Sequence, residues 1–386
     1  MILVDDAGGA FPSINHAPWF GVTIADFVMP FFLFGVGVSI SLVFKFFSMD
    51  LNLMGLLLFD EVLESFQQII GHKESRIEDG QALSAGVVST RLPLSPIRIS
   101  IGYLLASITE IWLVRNVMVD SPTAFVQKII ATLLLSLYMC VLYGLYVPNW
   151  EFQSPSLTLS TNGPHTQIVH CGVRGNLEPP CNAVGYVDRY FLGEQHLYRR
   201  PVYRRTKECS VNSPDYGPLP PHSPEWCLAP FDPEGILSSL MAVLTCIVGL
   251  HFGHILLHHK GQMHRVVLWS MSSFALLFSG FVLQLLGIPF SKPLYTLSYM
   301  CITAGASGLF LTIIFYIVDV KHFRKPVVLL QWMGMNALII YALAACDIFP
   351  AAVQGFYWRS PENNLVKNCK LDCPIKAFLN SFIVVK

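Results

Sequence analysis

The chain has 386 residues, of which 53% are hydrophobic and only 13% charged, and its mean hydropathy is +0.52. Soluble domains carry about 25% charged residues, so this composition excludes a water-covered fold and demands a bundle of membrane spans in a lipid bilayer. The 25 basic and 25 acidic residues cancel, which removes the electrostatic reason to expect nucleic acid as a partner.

A spanning helix needs about 20 mainly apolar residues. Seven stretches qualify, 22–45, 97–118, 127–147, 235–257, 266–287, 295–319 and 327–346. The expected fold is therefore an all-α polytopic integral membrane protein with about seven transmembrane helices. In the first unit, 1–45, Asp5 and Asp6 sit in a Gly-rich opening, His16 lies just before the span and Asp26 about one turn inside it. An imidazole at that position exchanges protons near neutral pH or accepts an acyl group. A carboxylate at membrane depth is costly, so Asp26 is expected to face the bundle and orient the imidazole. Two plainer readings stand beside this one. Thr23-x-x-Asp26 ahead of an apolar run is a capping-box pattern, and His16 beside Trp19 fits an interfacial anchor.

Residues 46–96 are anomalous: charged from Glu61 to Pro96, without a sustained period, and with an apolar piece at 51–59 too short to cross. Two spans fill 97–147. The unit 148–232 is a Cys- and Pro-rich loop domain holding Cys171, Cys181, Cys209 and Cys227. An even set of cysteines suits disulfides on an extracytosolic face, and three pairings are open. Four spans follow in 233–346, then a lumenal segment and tail in 347–386. The turns His258 to Arg265 and Lys321 to Lys325 are basic and two spans apart, which puts both on the cytosolic side. His16 and the loop domain are then lumenal. Spans 22–45 and 97–118 both run from lumen to cytosol, so one crossing between them is unaccounted for.

His251, His254 and His258 share one helical stripe, a spacing that zinc could use. No Cys or carboxylate accompanies them in sequence, and basic side chains snorkel at span ends, so no metal is expected. Asn336 enters the last span in Trp332-Met333-Gly334-Met335-Asn336 and must hydrogen-bond another helix or a ligand. G-x-S-x-G, P-loop and H-E-x-x-H motifs are absent. A transporter is the alternative class, although the paired repeats many transporters show are missing.

The run Asn15-His16-Ala17-Pro18-Trp19-Phe20-Gly21-Val22-Thr23-Ile24-Ala25-Asp26-Phe27-Val28-Met29-Pro30-Phe31-Phe32-Leu33-Phe34 resembles the hallmark of the heparan-α-glucosaminide N-acetyltransferase family. Ile101 to Ala106 and Gly334 to Leu338 look similar to it as well, and Val211-Asn212-Ser213-Pro214-Asp215-Tyr216-Gly217 is most similar to its plant branch. The resemblance covers 1–45, 98–150 and 165–365. It implies acetyl transfer from cytosolic acetyl-CoA, the donor substrate, to a lumenal amino-sugar or glycan acceptor in a lysosomal or vacuolar membrane, and it allows a homo-oligomer. The family's essential His falls on His16 and its acidic partner on Asp26. Its Asn eleven residues before that His falls on Asp5, which accepts but does not donate hydrogen bonds when ionised. His16 would act as base or as acetyl carrier, and Arg265, Lys321 and Arg324 would meet the donor's phosphates. The family's first span, its match to 46–96 and its last spans are missing, so the sequence is expected to be an incomplete or mis-spliced member, with a truncated, non-catalytic one as the further alternative.

Overall fold

The computed structural model describes residues 16–46, 94–115, 122–154, 165–193, 197, 201–232, 235–336, 339, 340 and 343. In hydrocarbon every backbone N–H and C=O must be satisfied within its own segment, and the apolar runs accordingly become helices. They are α1 (Ile24–Phe46), α2 (Leu94–Arg115) and α3 (Pro122–Gly144), then the short α4 (Ala183–Leu192), then α5 (Ile236–His258), α6 (Gln262–Leu285) and α7 (Leu297–Phe315). A wider turn, Tyr316–Val320, prolongs α7, and α8 (Val328–Met335) closes the series.

Among the described residues five helices, α1, α3, α5, α6 and α7, are long and apolar enough to cross a membrane. The sequence gives an expectation of seven. The stretch 97–118 does form a helix, α2, but it buries Arg98 and Glu110 along its length, which dilutes its apolarity. The stretch 327–346 is described only as Val327, α8, Asn336 and residues 339, 340 and 343. Of the anomalous stretch 46–96, residues 47–93 lie outside the described residues, as do the tail beyond 343 and Asp5.

Helix directions follow from the contacts. Arg98, near the start of α2, donates to Ser238 Oγ at the start of α5, while Glu110 meets His254 near the end of α5. Gly37 of α1 lies against Cys246 and Leu250 of α5, and Gly253 against Ser41. Helices α1, α2 and α5 therefore run parallel, so the two helices on either side of 47–93 point the same way. Small residues permit the tightest of these approaches, as they do between membrane helices generally. A Cβ on Gly249 would fall 2.1 Å from Phe34 O, and one on Gly253 1.8 Å from Ser41 Oγ. By contrast α6 turns Phe274, Phe278 and Leu285 outward, and α3 does the same with Leu133 and Leu137. A water-soluble protein rarely exposes such contiguous apolar surface, whereas lipid covers it at no cost.

The described residues between 145 and 235 form a cap at the end where α1, α5 and α7 begin. Strand β1 (Tyr146–Val147) pairs antiparallel with β4 (Val173–Arg174), and β2 (Trp150–Ser154) with β3 (His165–Val169), which sets Trp150 opposite Val169 and Phe152 opposite Gln167. Of the three pairings open from sequence, the cysteines adopt Cys171–Cys181 and Cys209–Cys227. The cap shares its core with the bundle. Trp19 packs edge-on against Phe231 at 5.1 Å and Tyr203 at 5.8 Å between centroids, and its indole N–H donates to Leu177 O at 3.0 Å. Asp188 of α4 accepts from Ile236 N at 2.8 Å, capping the otherwise orphaned start of α5. Loss of solvation first, and then the neighbouring Asp232 carboxylate, push the Asp188 carboxyl up to about 7, against the opposing pull of that N–H and of Arg98 and Arg189.

Candidate functional site

Asp26 occupies the first turn of α1, where the helix dipole and free N–H groups favour a carboxylate. Its two oxygens divide the work. Oδ2 accepts from Thr23 N (3.0 Å), Thr23 Oγ1 (2.9 Å) and Ala17 N (3.2 Å), which is the capping pattern read from Thr23-x-x-Asp26. Oδ1 is left for His16, whose Nδ1 lies 2.8 Å away. The contacts accommodate both the capping and the orienting readings of Asp26, one on each oxygen. The carboxylate is wholly buried while the imidazole keeps 35% of its side chain exposed. A buried carboxylate that takes the Nδ1 proton leaves the lone pair on Nε2.

Sequence reading passed over a third member. Lys292, in the loop between α6 and α7, brings Nζ to 3.1 Å from His16 Nδ1, 3.5 Å from His16 Nε2 and 3.6 Å from Asp26 Oδ1. The loop reaches the site because Gly21 N donates to Phe290 O at 2.9 Å and Thr296 Oγ1 to Pro289 O at 2.8 Å. From the α7 side, Tyr299 OH donates to Asp26 O at 2.5 Å. A fourth residue, Arg205 of the cap, donates from Nη2 to His16 O at 2.7 Å and from Nε to Pro214 O at 2.9 Å. The only sequence signal for Lys292 is its place two spans after the loop domain, on the face predicted for His16; Arg205 has no such signal in an irregular segment. The resulting arrangement is a half-buried imidazole with a buried carboxylate at Nδ1 and an ammonium at its side. Such a group can deprotonate a nucleophile and stabilise a developing oxyanion.

The other candidates fall elsewhere. Asn336 is exposed at the end of α8 and spends its Nδ2 on Trp332 O of its own helix at 2.9 Å, so the buried asparagine expected from sequence is not found. A carboxylate does accompany the histidine stripe, contrary to the sequence reading, because it comes from another helix. Glu110 Oε2 lies 3.0 Å from His254 Nε2 and accepts from Gln127 Nε2 at 3.0 Å. His258 turns its Nδ1 to His254 O at 2.9 Å. Among the described residues no group of three or more His, Cys, Asp and Glu side chains could hold a metal ion.

No model of a known protein family matches the chain. It is 24% identical over 369 residues to the heparan-alpha-glucosaminide N-acetyltransferase of Mus musculus, covering 88% of this chain and 50% of that protein. The Homo sapiens protein of the same name is also 24% identical, over 392 residues that cover 94% of this chain and 53% of the relative. The chain spans about half the length of the curated relatives it matches. Both support, at family level, the resemblance carried by the segment around His16: across most of its length this membrane-helical chain is similar to heparan-alpha-glucosaminide N-acetyltransferase.

Proposed function

We propose that the chain is a membrane-bound acetyltransferase that moves an acetyl group from acetyl-CoA to the amine of an amino-sugar-type acceptor, with His16 as the base. The observation that carries this reading is the His16–Asp26 pair at 2.8 Å, with Lys292 Nζ within 3.6 Å of both partners. An acceptor amine arrives as an ammonium and must lose a proton before it attacks the thioester carbon. Nε2 of His16 takes that proton, and Asp26 stabilises the imidazolium. Lys292 holds the oxyanion of the tetrahedral intermediate. Collapse expels the thiolate, which takes the second amine proton and leaves as thiol, and His16 returns the first to solvent.

The side of each substrate is part of the proposal. The two disulfides of the cap favour a lumenal position for the His16 end, in a lysosomal or vacuolar membrane as the family resemblance implies. The donor's phosphates enter at the opposite, cytosolic end, where Arg265, Lys321 and Arg324 lie. Together with α2 and the stretch 327–346, the five apolar helices would make the seven-span bundle. Membranes bearing the chain should release thiol from acetyl-CoA only when an amine acceptor is present, and His16→Ala should abolish that release. Release that survives the substitution removes His16 from the mechanism.

A further inference from the structure

The cap invests in a rigid turn beside the base, and that turn leaves one aromatic ring in solvent. Residues 209–218 begin at a disulfide, Cys209–Cys227. They close on themselves through Val211 N to Pro218 O (3.1 Å), Asp215 N to Asn212 O (2.8 Å) and Ser210 Oγ to Asp215 O (2.7 Å). Gly217 has no room for a side chain, since a Cβ there would lie 2.9 Å from both Asn212 Cβ and Ser210 Oγ. Arg205, only 5% exposed, then bolts this turn to the site. One guanidinium bridges Pro214 O and the carbonyl of His16 itself. Tyr216 stacks its ring on the same guanidinium, 5.7 Å from Cζ to centroid, yet stays 51% exposed.

Burying an arginine to join two backbone carbonyls is a costly way to hold a surface loop. What it secures is the position of the Tyr216 ring relative to His16. An exposed aromatic ring held at fixed distance from a base is a platform for a flat, C–H-rich molecule, because the ring's negative face attracts the positively polarised edge of its partner. A pyranose presents such a face, and an acyclic amine does not. We infer that Tyr216 is the sugar-binding platform of the acceptor site, stacking a pyranose ring of the acceptor while its amine is presented to His16. This rests on the acetyl-transfer reading.

The test uses the full chain in membranes, acetyl-CoA as donor, and two acceptors, glucosamine and the acyclic 2-aminoethanol. Tyr216→Ala should raise the KM for glucosamine by about two- to tenfold. It should leave the KM for acetyl-CoA and the rate with 2-aminoethanol unchanged. Tyr216→Trp should keep the glucosamine KM within about twofold of the parent, which also controls for folding. An unchanged glucosamine KM in Tyr216→Ala overturns the inference. So does an equal loss with both amines, the result expected if the ring only anchors the cap at the bilayer interface. If the unsubstituted chain acetylates neither amine, the acetyltransferase reading itself has failed, and the platform falls with it.

Discussion

Among the described residues the same chemical pair occurs twice, once at each end of the bundle. His16–Asp26 stands where α1, α5 and α7 begin, and His254–Glu110 stands near the end of α5. Their imidazole–carboxylate distances are close, 2.8 and 3.0 Å. What separates them is the surroundings. Asp26 has its second oxygen saturated by three donors and its imidazole is open to solvent, with an ammonium alongside. At the other end Glu110 Oε2 is shared between His254 and Gln127, and the imidazole side chain is 18% exposed. In the proposed reading the first pair serves an incoming molecule, while the second ties α2, α3 and α5 together.

The substitution that should separate the two ends furthest is alanine at each histidine. His16→Ala should lower acetyl transfer by about 10²–10⁴-fold, the usual worth of a positioned base, with thermal unfolding close to the parent. His254→Ala should leave transfer within about tenfold while lowering the unfolding temperature. Equal losses of transfer at both ends would erase the distinction and make His254 a second reactive centre.

Much of this was legible beforehand, and the part that was not has a physical reason. The spans are readable because hydrocarbon imposes length and apolarity on contiguous residues. The partner of His16 is readable because it lies ten residues on, within one local helix start. Glu110 and Lys292 are not readable as partners, since their contacts to His254 and His16 cross 144 and 276 residues of chain. Nothing local in a single sequence marks such a pairing. The place of α2 has the same root: a hydropathy window credits its apolar majority, whereas its buried Arg98 and Glu110 are read correctly only once α5 supplies Ser238 and His254.

Lys292 sharpens the comparison further, because the His254 end has Gln127 in the corresponding place. Lys292→Met should reduce kcat by about 10²-fold with little change in donor KM, as loss of an oxyanion donor does. Lys292→Arg, which keeps the charge, should recover part of that loss. If Lys292→Met instead raises acceptor KM and spares kcat, the ammonium serves binding and the oxyanion role is wrong.

A smaller effect is expected from the structural pair. Glu110→Ala leaves the His254 ring and the Gln127 amide without their buried acceptor, at a cost of about 1–3 kcal/mol. Thermal unfolding in detergent should show this loss, with kcat of the surviving protein unchanged. A stable Glu110→Ala chain with impaired transfer would reverse the assignment of the two ends.

The smallest expected effect concerns pH and again sets one end apart. Asp188, which caps α5 beside the site, has its carboxyl pushed up from 3.8 to about 7. The folded chain therefore binds more protons than the unfolded chain between those values, and stability falls as pH rises through that window. The contribution is complete below the unfolded value and lost above the folded one. The unfolding temperature should accordingly be higher at pH 5 than at pH 8 by a few degrees, and Asp188→Asn, which keeps an acceptor for Ile236 N, should flatten that difference. Glu110→Gln at the far end should leave it in place. A difference that persists in Asp188→Asn and vanishes in Glu110→Gln would move the pH-sensitive seam from the cap to the opposite end of the bundle.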